Sequence, residues 1–238
     1  MISIPARNSY RLTALFIILI LIGIQWGFYT SYTSQFPTFP NATTVIHIHG
    51  ALLMIWLTLL VVQPMLINFK KAKLHRSIGK VSYVLGPMII ISMFLVGRGS
   101  YHRFVELAPE KDLLATMVLD IRGLVNFAIF WALAMAYRKT PSAHMRYMIA
   151  TGILAIGPGV GRGLMASFDF SLYAALTATD VIDLVIVGVL LGYDLVKKND
   201  FKPYLVVFSV LLVGKVLWQI SYSDLWQNFA RTYVELFY

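Results

Sequence analysis

Seven predominantly apolar stretches set what this chain can become. They run Arg11–Thr30, Thr44–Phe69, Val81–Gly97, Leu113–Tyr137, Tyr147–Phe168, Leu172–Val196 and Phe201–Tyr222. Each is close to the ~20 residues a helix needs to cross a bilayer. In lipid every backbone N–H and C=O must be satisfied internally, which leaves helices or closed barrels. These stretches lack the strict alternation of barrel strands. The expected fold is therefore an all-α polytopic membrane bundle of seven transmembrane helices. Charged residues make up 13% of the chain, against roughly 25% in soluble domains, which supports the same reading. The seven stretches use most of the 238 residues, so residues 1–238 read as a single integral membrane domain.

A net charge of +9 would suggest nucleic acid in a soluble protein, but its distribution here argues otherwise. Alternate connections are basic: Arg7 and Arg11; Lys70, Lys71, Lys73, Arg76 and Lys80; Arg138, Lys139 and Arg146; Lys197, Lys198 and Lys202. The opposite side holds Arg98, Arg103, Lys111 and Arg231, a split of 13 against 4. By the positive-inside bias the amino terminus is expected in the cytoplasm and the carboxyl terminus outside. The short basic loops hug the bilayer, so lipid is the expected partner and nucleic acid is not. Cysteine is absent, which removes disulfides, thiolate ligands and cysteine catalysis. The first apolar stretch is too long for a cleaved signal peptide and lacks a small-residue cleavage site close behind it.

Prolines and glycines mark where helices should bend. Pro64 in the second stretch, and Gly157-Pro158-Gly159 in the fifth, should kink or open their helices. The run GPGVGRG places Arg162 among alternating glycines. Such a segment could line a site in a broken helix or let helices approach closely through small residues. The tail Ser223–Tyr238 alternates aromatic and polar residues, the pattern of a short interfacial helix. Two hairpins echo one another. Each has a polar residue in its first helix (His49, Asp120) and a basic turn containing His (His75, His144). Each then reaches Gly-Pro in its returning helix (Gly86-Pro87, Gly157-Pro158).

Six charges fall at membrane depth: Asp120, Arg122, Arg162, Asp180, Asp183 and Lys215. A charge there costs several kcal/mol unless it is paired, solvated or bound, so each marks a candidate site. At 1.5 Å per residue, these groups and His49 converge on the outer half of the bundle. Asp180 and Asp183 share a helix face. Lys215 and Gln219 form a polar stripe, and His49, Trp56 and Gln63 repeat every seven residues. Asp120 and Arg122 point about 200° apart, so one of them should bond a neighbouring helix. The candidate ligand-binding set is His49, Trp56, Asp120, Arg162, Asp180, Asp183, Lys215 and Gln219, with Lys215 expected to be paired and water-accessible. Alternatively, three acids and three bases could neutralise one another and serve only to fix helix register.

Histidine admits other chemistry. A metal site would join His49 to Asp120 or Asp183 and one further ligand. His75 and His144 lie too far away to complete it, and no two histidines are expected at matching depth for paired haem ligation. The basic turns His75-Arg76 and His144-x-Arg146 fit contact with anionic lipid headgroups or a phosphate group. No cofactor is named by any motif.

The segments HGALLMIWLTLLVVQ, LHRSIGK and the HMRYM turn with its Gly-Pro helix span about half the chain. Together they resemble a family of small bacterial multi-pass membrane proteins of uncharacterised activity. The resemblance implies a bacterial cytoplasmic-membrane protein and carries no catalytic residue or cofactor with it. The leading expectation is a protein that binds or transports a small ligand, ion or proton in an outer-half polar pocket. The alternatives are a His-dependent metal or redox enzyme, a retinal protein with Lys215 as the Schiff base and Asp120 or Asp183 as counter-ion, and a structural or assembly protein.

Overall fold

The computed structural model describes residues 7–40 and 42–238, without the side chains of Arg7 and Asn8. The Arg7 charge counted above thus lies outside the described residues. Ten α-helices follow in order: α1 Arg7–Phe28, α2 Thr44–Asn68, α3 Ala72–Gly79, α4 Ser82–Phe104, α5 Glu110–Ala136, α6 Pro141–Ile153, α7 Ile156–Phe168, α8 Leu172–Val196, α9 Lys202–Gln219 and α10 Asp224–Phe237. No strand occurs among the described residues. Taking α3–α4 and α6–α7 each as one span, seven helices are long and apolar enough to cross a membrane. Their outer faces carry exposed Leu19, Ile91, Val189 and Val213. A soluble surface does not present apolar belts of this extent, whereas lipid solvates them.

The helices form a closed ring, α1–α2–α4–α5–α9–α8–α7, with neighbours in contact around it. The fifth span plays two parts. Its first half, α6, sits inside the ring against α1, α2, α5 and α9, while α7 joins the wall between α1 and α8. The break falls at Leu154–Ala155. Pro158 has no N–H for the Leu154 carbonyl four residues back, and its ring crowds that carbonyl, so the helix re-forms on a new axis. The glycines then let α7 press against α1. A Cβ on Gly27 would lie 1.8 Å from the Gly159 carbonyl oxygen. At GPGVGRG the span is thus both broken and closely packed. Pro64 does not open α2, which runs unbroken to Asn68.

Two boundaries differ from the sequence reading. The basic stretch after Phe69 contains α3, because Ala72–Gly79 has no breaker before its terminal glycine. The fifth span begins at Pro141, which supplies a fixed φ in the first turn. The tail does form a helix, with the Ser223 hydroxyl accepting from the Trp226 N–H. That helix folds back on α5: the Trp226 indole N–H donates to the Leu114 carbonyl at 2.8 Å, and Ala230 is fully buried.

A polar cluster in the ring and a second at its basic end

The six charges separate into distinct environments. Arg122 on α5 forms a two-pronged ion pair with Asp180 on α8, at 2.9 and 3.1 Å, and also donates to the Gly214 carbonyl on α9. This bond to a neighbouring helix is the structural role expected for one of Asp120 and Arg122. It pairs Asp180 with Arg122. Asp183, one turn on, is buried at 8% exposure, and its Oδ1 has no hydrogen-bond partner. Lys215 is half-buried and makes no ion pair or hydrogen bond among the described residues, so the expected pairing is not found. Gln219 accepts from the Tyr173 hydroxyl at 3.3 Å, near the helix end.

Asp120, Arg162 and His49 make up the remaining group. Arg162 sits on α7 and interacts electrostatically with both Asp120 on α5 and His49 on α2. No carboxylate lies within ion-pair distance of it among the described residues. Its guanidinium donates to the Pro158 carbonyl at 3.0 Å and covers the Phe28 ring at 4.6 Å. Both Arg162 and Asp120 remain accessible. His49 Nδ1 lies 2.9 Å from the Ser92 hydroxyl. That hydroxyl donates its proton to the Ile89 carbonyl at 2.8 Å. It therefore accepts from His49 Nδ1–H, which leaves the Nε2 lone pair free.

Asp120 also meets the carboxyl-terminal helix. It lines a cavity of about 90 Å³ with Phe94, Tyr233 and Tyr238. Tyr238 comes so close to α4 that a Cβ on Gly97 would sit 2.8 Å from its hydroxyl. His102 Nε2 is bonded to the Tyr238 carbonyl at 2.9 Å. Nothing in the sequence pattern brings residue 238 to residue 120; it follows from the fold-back of α10.

Trp56 is a core side chain. It is 1% exposed, its indole N–H donates to the Thr151 hydroxyl at 3.0 Å, and its ring packs edge-on to Phe127. The seven-residue stripe on α2 is nonetheless real. His49 and Trp56 bond Ser92 and Thr151, and the buried Gln63 side chain lies against His75 and Gly79. The three-ligand metal site around His49 is not formed, since no group of three or more metal-capable side chains lies together among the described residues.

The basic end corrects another expectation. Arg146 is not at the headgroups: it is 6% exposed and paired to Asp194, itself 2% exposed, at 2.6 and 2.7 Å. It also donates to the Ser142 carbonyl and hydroxyl and lies over the Tyr204 ring. A sequence signal existed, because Arg146 and Asp194 stand at the same end of consecutive spans. His75 and His144 are half-buried, with each Nδ1 against a backbone carbonyl, of Gln63 and of Ala134. Arg76 alone of the four is exposed. His75 and His144 lie within electrostatic range of each other. Compared with models of known families, with curated proteins and with solved structures, the chain matches none.

Proposed function

We propose that this membrane protein binds a small solute bearing an anionic group, entering from the outer end of the ring and held by Arg162. One observation carries the reading: an accessible guanidinium inside a seven-helix bundle that no carboxylate neutralises at ion-pair distance. Arginine does not shed its proton, so a charge in that position calls for a counter-anion. Its five N–H donors suit a carboxylate or phosphate oxygen pair, and one donation to Pro158 leaves most of them free. Asp120 and the Nε2 of His49 offer acceptors nearby, which favours a solute that also carries a donor, such as an amino acid-like zwitterion. The distribution of lysine and arginine supports an outward-facing mouth, with the basic turns in the cytoplasm.

Transport by rearrangement of α6–α7 is compatible with the broken fifth span, because half-helices beside a binding site are a recurrent transporter device. The binding reading is tested by thermal shift of the detergent-purified chain against small carboxylates and zwitterions. Stabilisation that disappears in Arg162→Gln supports it. A ligand that stabilises wild type and Arg162→Gln equally would remove Arg162 from the site.

A further inference from the structure

The wall of the ring holds a recess between α5 and α9. Its volume is about 280 Å³, close to the lower end of the ~300–1,000 Å³ range of small-molecule sites. Val125 and Ile129 wall it on one side, Val210 and Val213 on the other, and α6 packs against both helices from inside the ring. Val125 and Val213 are exposed on the bundle surface, so the mouth faces lipid. The α9 lining runs from Ser209 to Leu217, about 10–22 Å along the axis from Lys202. That range is centred in a hydrocarbon core about 30 Å thick.

The floor of the recess is polar. Asn126 lines it, is 8% exposed, and its carboxamide makes no hydrogen bond among the described residues. In hydrocarbon a buried amide without a partner costs several kcal/mol. Arg122, one turn earlier on the same face, is already engaged by Asp180 and the Gly214 carbonyl, so the floor is electrically neutral. Ser209 adds a hydroxyl from α9 that is also unbonded among the described residues. Gly214 keeps the floor open: a Cβ there would already stand 3.6 Å from Asn126 Nδ2.

These features select the occupant. It arrives through lipid and meets aliphatic walls, so it is apolar; it meets a neutral floor, so it is uncharged. It also accepts hydrogen bonds, because Asn126 and Ser209 present N–H and O–H donors. Phospholipid tails offer no acceptor at this depth, since their ester carbonyls stay at the membrane interface. A carbonyl-bearing ring dissolved in the bilayer meets every condition. We propose that the α5–α9 recess binds the head of a neutral, membrane-dissolved quinone, with the Asn126 amide donating to its carbonyl. The recess is distinct from the Arg162 cluster, so failure of either reading leaves the other standing.

The test uses the full-length chain purified in detergent and titrated with decylubiquinone, whose ring quenches tryptophan fluorescence; Trp226 lines the recess. Saturable quenching by one quinone per chain is expected. Decylbenzene, the same tail on a ring without carbonyls, should displace it only at about 10-fold higher concentration, the worth of one buried hydrogen bond. Asn126→Leu should weaken quinone binding about 10-fold and bring the two probes to parity. Gly214→Leu should abolish binding by filling the floor, and Arg162→Gln should bind as wild type does. Wild-type quenching that never saturates, or decylbenzene that competes as well as the quinone, would overturn the proposal; the latter would show a groove for acyl chains only. The wild-type competition decides this even where a variant fails to fold.

Discussion

Replacing Asp194 by asparagine should be among the most damaging conservative changes in the chain. Asp194 is 2% exposed and accepts two short bonds from Arg146, at 2.6 and 2.7 Å, and a third from the Asn199 amide at 3.1 Å. Asparagine keeps the shape but removes the charge and turns an NH₂ toward a guanidinium that can only donate. Arg146 cannot escape to water, because it is held by Ser142 and lies against Tyr204. Breaking a buried pair at one partner costs about 3–5 kcal/mol, since the other charge is left uncompensated. Much of that is a desolvation penalty, so removing both groups should recover most of the loss. Denaturant unfolding in micelles can measure both: Asp194→Asn should lose about 3–5 kcal/mol, and Arg146→Met with Asp194→Leu should return to within about 1–2 kcal/mol of wild type. A single variant within about 0.5 kcal/mol of wild type would refute the claim that this pair fastens α6 to α8.

Gly27→Ala should separate α1 from α7, because its Cβ would overlap the Gly159 carbonyl; a loss of about 1–3 kcal/mol is expected in the same assay. Asp183→Leu should stabilise the fold by about 1–3 kcal/mol, since it removes a buried carboxyl oxygen without a partner; a loss of stability would show that Asp183 is bonded in the membrane. Burial, Tyr233 and the charge of Asp120 raise the Tyr238 phenol above its usual range. The folded chain then keeps that proton after the unfolded chain has released it, so this stability is complete below about pH 10 and is lost as pH rises further. Alkaline unfolding should be less steep in Tyr238→Phe, and an identical profile would contradict the placement of Tyr238.

The number of spans was legible from apolar length alone, and the 200° offset between Asp120 and Arg122 meant that one of them should bond a neighbouring helix, which Arg122 does. Azimuth was not legible: helical phase cannot say which helices are neighbours. The ring order decides that Arg122 pairs with Asp180, while Arg162 lies within electrostatic range of Asp120 and His49. The basic turns were read as headgroup contacts because lysine and arginine crowd them. Arg146 is drawn inside by Asp194, a carboxylate near the end of α8 that the sequence reading had not singled out. Likewise, the fold-back of α10 depends on Trp226 and Ala230 meeting α5, which no local periodicity specifies.

The proposed solute site requires that Arg162 and Asp120 be reached from the outer side of the membrane. Because the chain has no cysteine, a single substituted cysteine reports without background. Labelling Arg162→Cys and Asp120→Cys in intact cells with a membrane-impermeant maleimide tests the claim directly. Both should react from outside, while Val187→Cys, fully buried in the core, should not. Reaction of Arg162→Cys only after detergent, or only from the cytoplasmic side, would contradict the account.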